Sequence, residues 1–313
     1  MARFLIVGAG GVGGLLGGLL SLAGEQVSFV VRGKNLAALK SEGLVLRGDA
    51  GEQRTGPLRA AESPEQLGTV DYVLVALKTW QLPAMAPRLK PVLGPDTLVV
   101  PLQNGVEAAA HLAAALGPGP VAGGLCHMLS YLEAPGVVRW SARPLSVTLG
   151  ALQPAQASRL AALQKLFERA GISALLPEDF EAALWSKLLF VGPYGAVGAA
   201  AGKPAGGMRS DPRTRAQLEG AMTEIAQLAR ARGVRLPEDV VGTAMARLDS
   251  LPPEATASLH RDIVAGRPSE LEEWMGAVVR LGAQSGVPTP VCGALYAELL
   301  PRERAARAAA GDT

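Results

Sequence analysis

The sequence has few of the residues that hold metals or disulfide bonds. Only two cysteines (Cys126 and Cys292) and three histidines (His111, His127 and His260) occur among 313 residues. Neither set has the spacing of metal ligands. The sequence therefore argues against a disulfide scaffold, a cysteine metal site and a histidine-rich metal site.

Long uncharged apolar runs and an excess of one charge sign are also missing. No stretch reaches the length of a membrane span, and a net charge of +2 is too balanced for a nucleic-acid binder. The first residues do not suggest a signal peptide, because a strand pattern starts at Phe4 and glycines interrupt any apolar helix. We therefore expect a soluble, cytoplasmic protein that binds a small molecule, with neither nucleic acid nor membrane as a partner.

The first half of the chain alternates short apolar runs with segments of helical length. This alternation favours an α/β fold with a parallel sheet covered by helices on both faces. The predicted strands are 4–10, 26–32, 72–78 and 97–105, with further strands near 121–125, 136–140 and 145–149, and predicted helices include 11–23 and 82–93.

The strand signal ends near Pro177, and helical patterns follow. We therefore predict an α/β domain over 1–175 and an all-helical domain over 176–313. The first predicted helix begins at 178. Further helices are predicted over 211–233, 238–249, 254–265 and 269–284, and a last one from about 291. The stretch 192–212, rich in glycine and proline, is predicted to be broken or looped. The apolar helices of this half are compatible with a homodimer.

Glycines in the pattern G-x-G-x-x-G lie between the first strand and the first helix. Gly8 allows a tight turn, Gly10 lets the backbone approach a pyrophosphate, and Gly13 lets the helix pack on the strand. The helix N-terminus then offers N–H groups to the phosphates. The predicted cofactor-binding turn comprises Gly8, Ala9, Gly10, Gly11, Val12 and Gly13. The pattern predicts a Rossmann-type dinucleotide site, and the alternative is a merely structural turn.

Arg32 ends the second predicted strand, where NAD-binding versions of this motif carry an acid. A guanidinium can hold a 2′-phosphate with two hydrogen bonds. The sequence therefore favours NADP over NAD, the alternative being a solvated arginine at a strand end.

Lys187 falls on the apolar stripe of the helix from 178, which Phe180, Leu184, Leu188 and Val191 mark. A lysine facing a core or a cleft loses hydration and must find partners or lower its pKa. Such a lysine could donate a proton to a ketone oxygen during hydride transfer. The alternative is a lysine whose ammonium reaches out to water.

Lys78 and Asn104 each follow a predicted strand, at the sheet edge where α/β proteins bind ligands. Lys78 could neutralise a phosphate or a carboxylate, and Asn104 could bind cofactor or substrate. A solvated lysine and a turn-forming Asn-Gly pair are the alternatives.

Ser269 and Glu272 form a predicted capping box at the start of a helix. Glu270 then lies in the first turn, where the helix dipole favours an acid for purely structural reasons. Ser258, on the preceding helix, could equally be an ordinary surface hydroxyl.

Seven short motifs together resemble the ketopantoate reductase (2-dehydropantoate 2-reductase) family, and the match runs over nearly the whole chain. In order, these motifs are GAGGVGG (8–14), LKTWQ (77–81), LQNGV (102–106), PGVV (135–138), LWSKLLF (184–190), DIVAGRPSELE (262–272) and GVPTPV (286–291). The resemblance implies a two-domain, NADPH-dependent oxidoreductase with a 6-phosphogluconate dehydrogenase-like fold, and a place in pantothenate biosynthesis.

The resemblance also implies roles for individual residues. Lys187 matches the catalytic lysine, which protonates or polarises the keto oxygen of a 2-oxo acid. Glu270 matches a glutamate at the cofactor and substrate interface, and Ser258 matches a substrate-binding serine. The implied cofactor contacts are Asn104 near the nicotinamide, the basic residues Lys78 and Arg32, and Ser130 through its backbone.

The chain departs from this family at three positions that usually carry asparagine. Val191 and Gly195 follow Lys187 by one and two helical turns, and Met275 lies five residues after Glu270. Asparagines there bind the polar end of ketopantoate, so the substrate-binding positions Val191 and Gly195 suggest a more apolar pocket. A more apolar 2-oxo acid or another ketone, or a non-catalytic NADPH-binding regulator, is the alternative to ketopantoate reduction.

Overall fold

The computed structural model describes residues 1–311, and only the backbone of residues 142–144. The chain forms two compact units. One contains Met1–Gln103 and Ala108–Phe180, and the other contains Asn104–Glu107 and the chain from Glu181 onward. The sequence suggested a single cut after residue 175. In the structure the first unit runs to Phe180, whose ring packs where a Cβ on Gly123 or Gly150 would lie.

Five strands of the first unit form a fully parallel sheet in the order β5-β2-β1-β6-β7, which confirms the predicted parallel α/β architecture. Its central strands, β1 and β6, are almost wholly buried, as expected when helices cover both faces. The strands of the unit are β1 (Arg3–Val7), β2 (Gln26–Val30), β3 (Val45–Gly48), β4 (Gly51–Arg54), β5 (Arg59–Ala61), β6 (Val70–Val75), β7 (Leu93–Pro101), β8 (Gly123–Ala134), β9 (Val137–Gly150) and β10 (Ser173–Leu175).

A second, mixed sheet has the order β10-β9-β3-β4, with β8 paired to β9. The sequence predicted two strands near 136–140 and 145–149, but the structure has the single strand β9. Its long antiparallel ladder with β8 keeps the backbone extended from Val137 to Gly150.

The helices of the first unit are α1 (Gly11–Leu22), α2 (Gly33–Ser41), α3 (Leu82–Met85), α4 (Ala108–Leu116) and α5 (Ala157–Arg169). Short 3₁₀ turns cover Pro64–Gln66, Thr79–Gln81, Ala86–Val92 and Pro154–Gln156. The helix predicted over 82–93 is therefore wrong in its second half, which is a 3₁₀ segment. Pro87 and Pro91 lack the N–H groups that a continuing α-helix needs.

Residues 104–107 and 181–311, the described part of the second unit, contain helices and no strand. Their bounds are α6 (Phe180–Ala201), α7 (Ala205–Ser210), α8 (Pro212–Ala231), α9 (Val240–Ser250), α10 (Ser258–Val264), α11 (Ala277–Ser285) and α12 (Pro290–Ala310), with a π-helical turn at Glu272–Gly276. A shared core of buried aliphatic side chains and Trp274 holds these helices together.

The prediction that 192–212 is broken or looped is wrong for 192–201, where α6 continues to Ala201. It is right further on, because residues 202–204 separate α6 from α7 and Asp211 separates α7 from α8. The glycines in α6 do not interrupt the helix but allow α10 to pack closely against it. A Cβ on Gly195 would lie 2.9 Å from the Leu259 side chain, and one on Gly198 would lie 2.9 Å from Nδ1 of His260. This close packing outweighs the low helix propensity of Gly and Pro.

Among the described residues, no helix combines the length and apolarity that crossing a membrane requires.

Candidate functional site

The glycine turn of the first unit has the geometry that a bound pyrophosphate requires. Gly8 has φ +97°, a conformation that side chains rarely adopt, and its N–H donates to the carbonyl of Val30. A Cβ on Gly13 would lie 1.9 Å from the carbonyl oxygen of Gly8, whereas a Cβ on Gly10 would have no atom within 4 Å. The space beside Gly10 is therefore open, and the N–H groups at the start of α1 face no side-chain cap.

Strand β8 passes beside this turn at Ser130. A Cβ on Gly11 would lie 2.5 Å from the Ser130 carbonyl oxygen, so glycine is needed for the approach. The buried Ser130 hydroxyl has no hydrogen-bond partner among the described residues. The open space at Gly10 and this unpaired hydroxyl fit a dinucleotide phosphate group.

Arg32 lies directly after β2 and is the N-cap residue of α2, followed by Gly33 with φ +59°. Arg32 and Lys34 are both exposed. No ion pair joins Arg32 to a carboxylate of the described chain. Its position at the carboxyl end of β2 is the one that the NADP prediction requires.

Lys78 follows the carboxyl end of β6, and its Nζ lies 5.7 Å from the centre of the Trp80 ring. Gln103, which the sequence analysis missed, fixes this segment. Its side-chain Nε2 donates to the carbonyls of Val75 and Leu77, each at 3.0 Å. The available signal in the sequence was the position of Gln103 next to the predicted ligand-binding Asn104.

In the second unit, Lys187 lies on α6 and is only 8% exposed. Val191 is half-buried and Gly195 is buried, with the Leu259 side chain filling the place that a residue larger than glycine would need. The sulfur of Met275 would lie 3.5 Å from a Cβ on Gly192, and Met275 is fully buried. This part of α6 therefore meets apolar side chains.

Glu270, 7% exposed, precedes the π-helical turn, and its backbone carbonyl accepts from the N–H of Trp274. The predicted capping box is wrong, although the Ser269 hydroxyl oxygen still accepts from the backbone N–H of Leu271. The backbone N–H and the hydroxyl of Ser269 both donate to the buried carboxylate of Glu303. The Glu272 side chain instead accepts from Arg280 and Tyr296. Glu303 takes the place of Glu272 as the acceptor because it would otherwise be a buried carboxylate with fewer donors.

Asn104 belongs to the second unit although it follows a strand of the first. The next residue, Gly105, has φ +96°, and a Cβ there would lie 2.9 Å from the carbonyl oxygen of Glu273. The structure thus brings the Asn104 segment to the π-helical turn that follows Glu270. Ser258 is the first residue of α10 and is half-buried.

Two further polar groups on α6 and α10 were absent from the sequence analysis. The Tyr194 hydroxyl and Nδ1 of His260 are buried, and neither has a hydrogen-bond partner in the described chain. Burial is the main cause that raises the pKa of Tyr194, to about 12, and that lowers the pKa of His260. Sequence pattern alone gave no signal for them, because both residues also fit an apolar helix face.

Comparison with known proteins gives matches over most of the chain. The family model described as "Ketopantoate reductase PanE/ApbA" matches residues 4–154, and its C-terminal counterpart matches residues 179–303. The 2-dehydropantoate 2-reductase of Mesorhizobium japonicum is 30% identical over 316 residues, covering 94% of this chain and 96% of the relative.

Solved structures share the fold. The 2-dehydropantoate 2-reductase of Geobacter metallireducens superposes with a TM-score of 0.89 at 27% identity, covering 96% of this chain and 99% of that one. D-mandelate dehydrogenase, solved with NADH and anilino(oxo)acetate, superposes with a TM-score of 0.88 at 20% identity over 97% of this chain and 99% of that one. The second likeness concerns the fold alone.

Proposed function

The chain belongs to the ketopantoate reductase family, and we propose that it reduces a 2-oxo acid with NADPH, with ketopantoate (2-dehydropantoate) as the default substrate. The family is one of oxidoreductases that use NADPH. The observation that carries the proposal is a lysine, Lys187, that is 8% exposed on a helix whose neighbouring turns are apolar.

A buried lysine has lost most of its hydration, so its ammonium gains strongly from a hydrogen-bond acceptor. We propose that the Lys187 ammonium donates to the keto oxygen of the substrate and then gives it a proton. NADPH, when bound, supplies the hydride, and the product is the 2-hydroxy acid. Glu270 and Asn104, on the two segments that meet at the π-helical turn, are proposed to contact the nicotinamide end of the cofactor.

In the first unit, the N–H groups after Gly8 would bind the pyrophosphate, with the Ser130 segment against the turn. Arg32 would bind the 2′-phosphate with its guanidinium, and Lys78 would add a second positive charge. The open space at Gly10 and the unpaired Ser130 hydroxyl support this assignment.

The test is the absorbance of NADPH, and separately of NADH, with purified protein and ketopantoate. We expect oxidation of NADPH much faster than that of NADH. Binding of NADPH is measured in parallel by fluorescence titration. A protein that binds NADPH but oxidises it with no member of a panel of 2-oxo acids and ketones would be a regulator and not a reductase.

A more apolar 2-oxo acid is the second candidate substrate. It is favoured by Val191, by the Leu259 side chain packed at Gly195, and by Met275, which is fully buried. These three side chains offer no hydrogen-bond partner to the substrate hydroxyl of ketopantoate, and a buried hydroxyl without a partner is costly.

The sharpest comparison is ketopantoate against 3,3-dimethyl-2-oxobutanoate, which lacks only that hydroxyl. A site that hydrogen-bonds the hydroxyl rejects the analogue by about 10⁴-fold or more, whereas an apolar pocket accepts it as well or better. Val191→Asn should then shift the ratio of kcat/KM values toward ketopantoate. The homodimer and the cytoplasmic location remain predictions.

A further inference from the structure

The Tyr194 hydroxyl is a buried polar group without a partner in the described part of the chain. The residue is 5% exposed, and its oxygen accepts and donates no hydrogen bond among residues 1–311. A buried hydroxyl that forms no hydrogen bond destabilises the fold, and native proteins keep few of them. Phenylalanine would fill the same space without this cost. The tyrosine oxygen therefore requires a partner that the described residues do not supply.

The position of Tyr194 relates it to the proposed catalytic lysine. It follows Lys187 by seven residues on α6, and residues at that spacing share one face of a helix, about 20° apart. The Tyr194 ring is stacked on Phe190, with ring centres 5.5 Å apart and an angle of 22° between the planes. This stacking fixes the ring, so the hydroxyl is held in place before any ligand arrives.

Two arginines act electrostatically on this hydroxyl. Arg261 and Arg209 both oppose the rise of its pKa, which burial drives to about 12. Arg209 donates to backbone carbonyls between Leu248 and Leu251, and Arg261 donates to Thr256. At neutral pH the Tyr194 hydroxyl is thus protonated, able to donate, and placed in a field that favours an anionic acceptor.

A second unpaired atom lies near the same face. Nδ1 of His260 lies 2.9 Å from where a Cβ on Gly198 would be, and Gly198 is one turn beyond Tyr194. His260 is 7% exposed, and this nitrogen has no partner in the described chain. Native proteins keep few buried polar atoms without a hydrogen bond, and here two of them lie beside adjacent turns of one helix.

We propose that the Tyr194 hydroxyl is a substrate-binding group that donates a hydrogen bond to the carboxylate of the 2-oxo acid whose keto oxygen Lys187 polarises. This inference rests on the function proposed above. The positive field at the hydroxyl suits a carboxylate and not the uncharged end of the substrate. The rigid ring would orient that carboxylate while Lys187 donates to the oxygen of the adjacent keto group.

Tyr194→Phe tests the proposal, because it removes one oxygen and no packing. We expect KM for the 2-oxo acid, and its Kd for the protein–NADP⁺ complex measured by calorimetry, to rise at least tenfold, or about 1.4 kcal/mol. The Kd for NADPH should stay unchanged, and the thermal midpoint should not fall. The methyl ester of the same 2-oxo acid should show a much smaller change in KM, since its ester group carries no charge.

Tyr72→Phe is the matched control. Its hydroxyl donates to the carbonyl of Arg159 at 3.4 Å in the first unit. Removing this hydroxyl should therefore lower the stability slightly and leave KM unchanged. A Tyr194→Phe variant with the wild-type KM and Kd would overturn the inference while leaving the proposed function intact. A wild-type protein that neither binds nor reduces any 2-oxo acid would overturn both.

Discussion

Two alanine substitutions in the glycine turn should separate cofactor binding from folding. At Gly10 the backbone has φ −77° and ψ −163°, which any residue adopts, and an added Cβ meets nothing within 4 Å. Gly10→Ala should therefore change the free energy of unfolding by no more than about 0.5 kcal/mol, or raise it slightly. The same methyl group would occupy the space proposed for the pyrophosphate, so we expect the Kd for NADPH to rise at least tenfold, or about 1.4 kcal/mol.

Gly13→Ala should instead lower the stability of the fold. Its Cβ would lie 1.9 Å from the carbonyl oxygen of Gly8, a backbone atom that cannot move without opening the contact between strand and helix. Forcing a methyl group into such a contact costs about 1–3 kcal/mol or more. The expected result is a clear loss of stability, with weaker NADPH binding as a consequence of the damaged turn.

The assay pairs urea denaturation with fluorescence titration of NADPH for each variant. Gly119→Ala is the control, because a Cβ at Gly119 also meets nothing within 4 Å but the residue lies outside the turn. It should match the wild type in both measurements. If Gly10→Ala binds NADPH as tightly as the wild type, the phosphates do not lie against this turn and the assignment of the cofactor site is refuted.

Three further predictions concern Lys187, Arg32 and Glu273. Lys187→Ala should abolish turnover, measured by NADPH absorbance, while the Kd for NADPH stays unchanged. An equal loss of turnover and of NADPH binding would contradict a role in proton transfer. Arg32→Ala should lower the preference for NADPH over NADH by about 10–100-fold, the value of a charge-assisted hydrogen bond, whereas Lys34→Ala should change it far less. Burial raises the pKa of the Glu273 carboxyl from its ordinary 4.5 to about 7. Because the folded state then holds this proton more tightly than the unfolded state, the stabilisation is complete below pH 4.5. It is lost as the pH rises through 7, by roughly 3 kcal/mol. Glu273→Gln should flatten this part of the stability profile, measured by urea denaturation from pH 5 to pH 8, and an unchanged slope would show that the carboxyl is ionised throughout.

The sequence predicted well those features that depend on local pattern. The apolar runs that form β1, β2, β6 and β7 predicted a parallel sheet. The glycines after β1 predicted the turn that the structure shows. Lys187 was expected on a buried stripe because helical periodicity fixes which face a residue shares. These inferences needed only neighbours in the chain.

Features that depend on distant partners escaped prediction. Helix α6 passes through Gly192 and Pro193 because α10 and Met275 pack against it, and no local rule reports those contacts. The capping box failed because Glu303, 34 residues away, takes the donors of Ser269. The unpaired Tyr194 hydroxyl could not be predicted for the same reason, since only the tertiary structure shows that no described residue forms a hydrogen bond with it.

The π-helical turn at Glu272–Gly276 means that inserting or deleting one residue would change the direction of Glu270. A π turn has one more residue per hydrogen-bonded loop than an α-helix has. A one-residue deletion within this segment would restore an ordinary helix and rotate the preceding Glu270 by about 100° relative to α11. A single-codon insertion or deletion in a homologue would thus change the direction of this glutamate without substituting any of the proposed substrate-binding residues. Gaps in an alignment at this point would then be as informative about substrate range as substitutions at Val191 or Gly195.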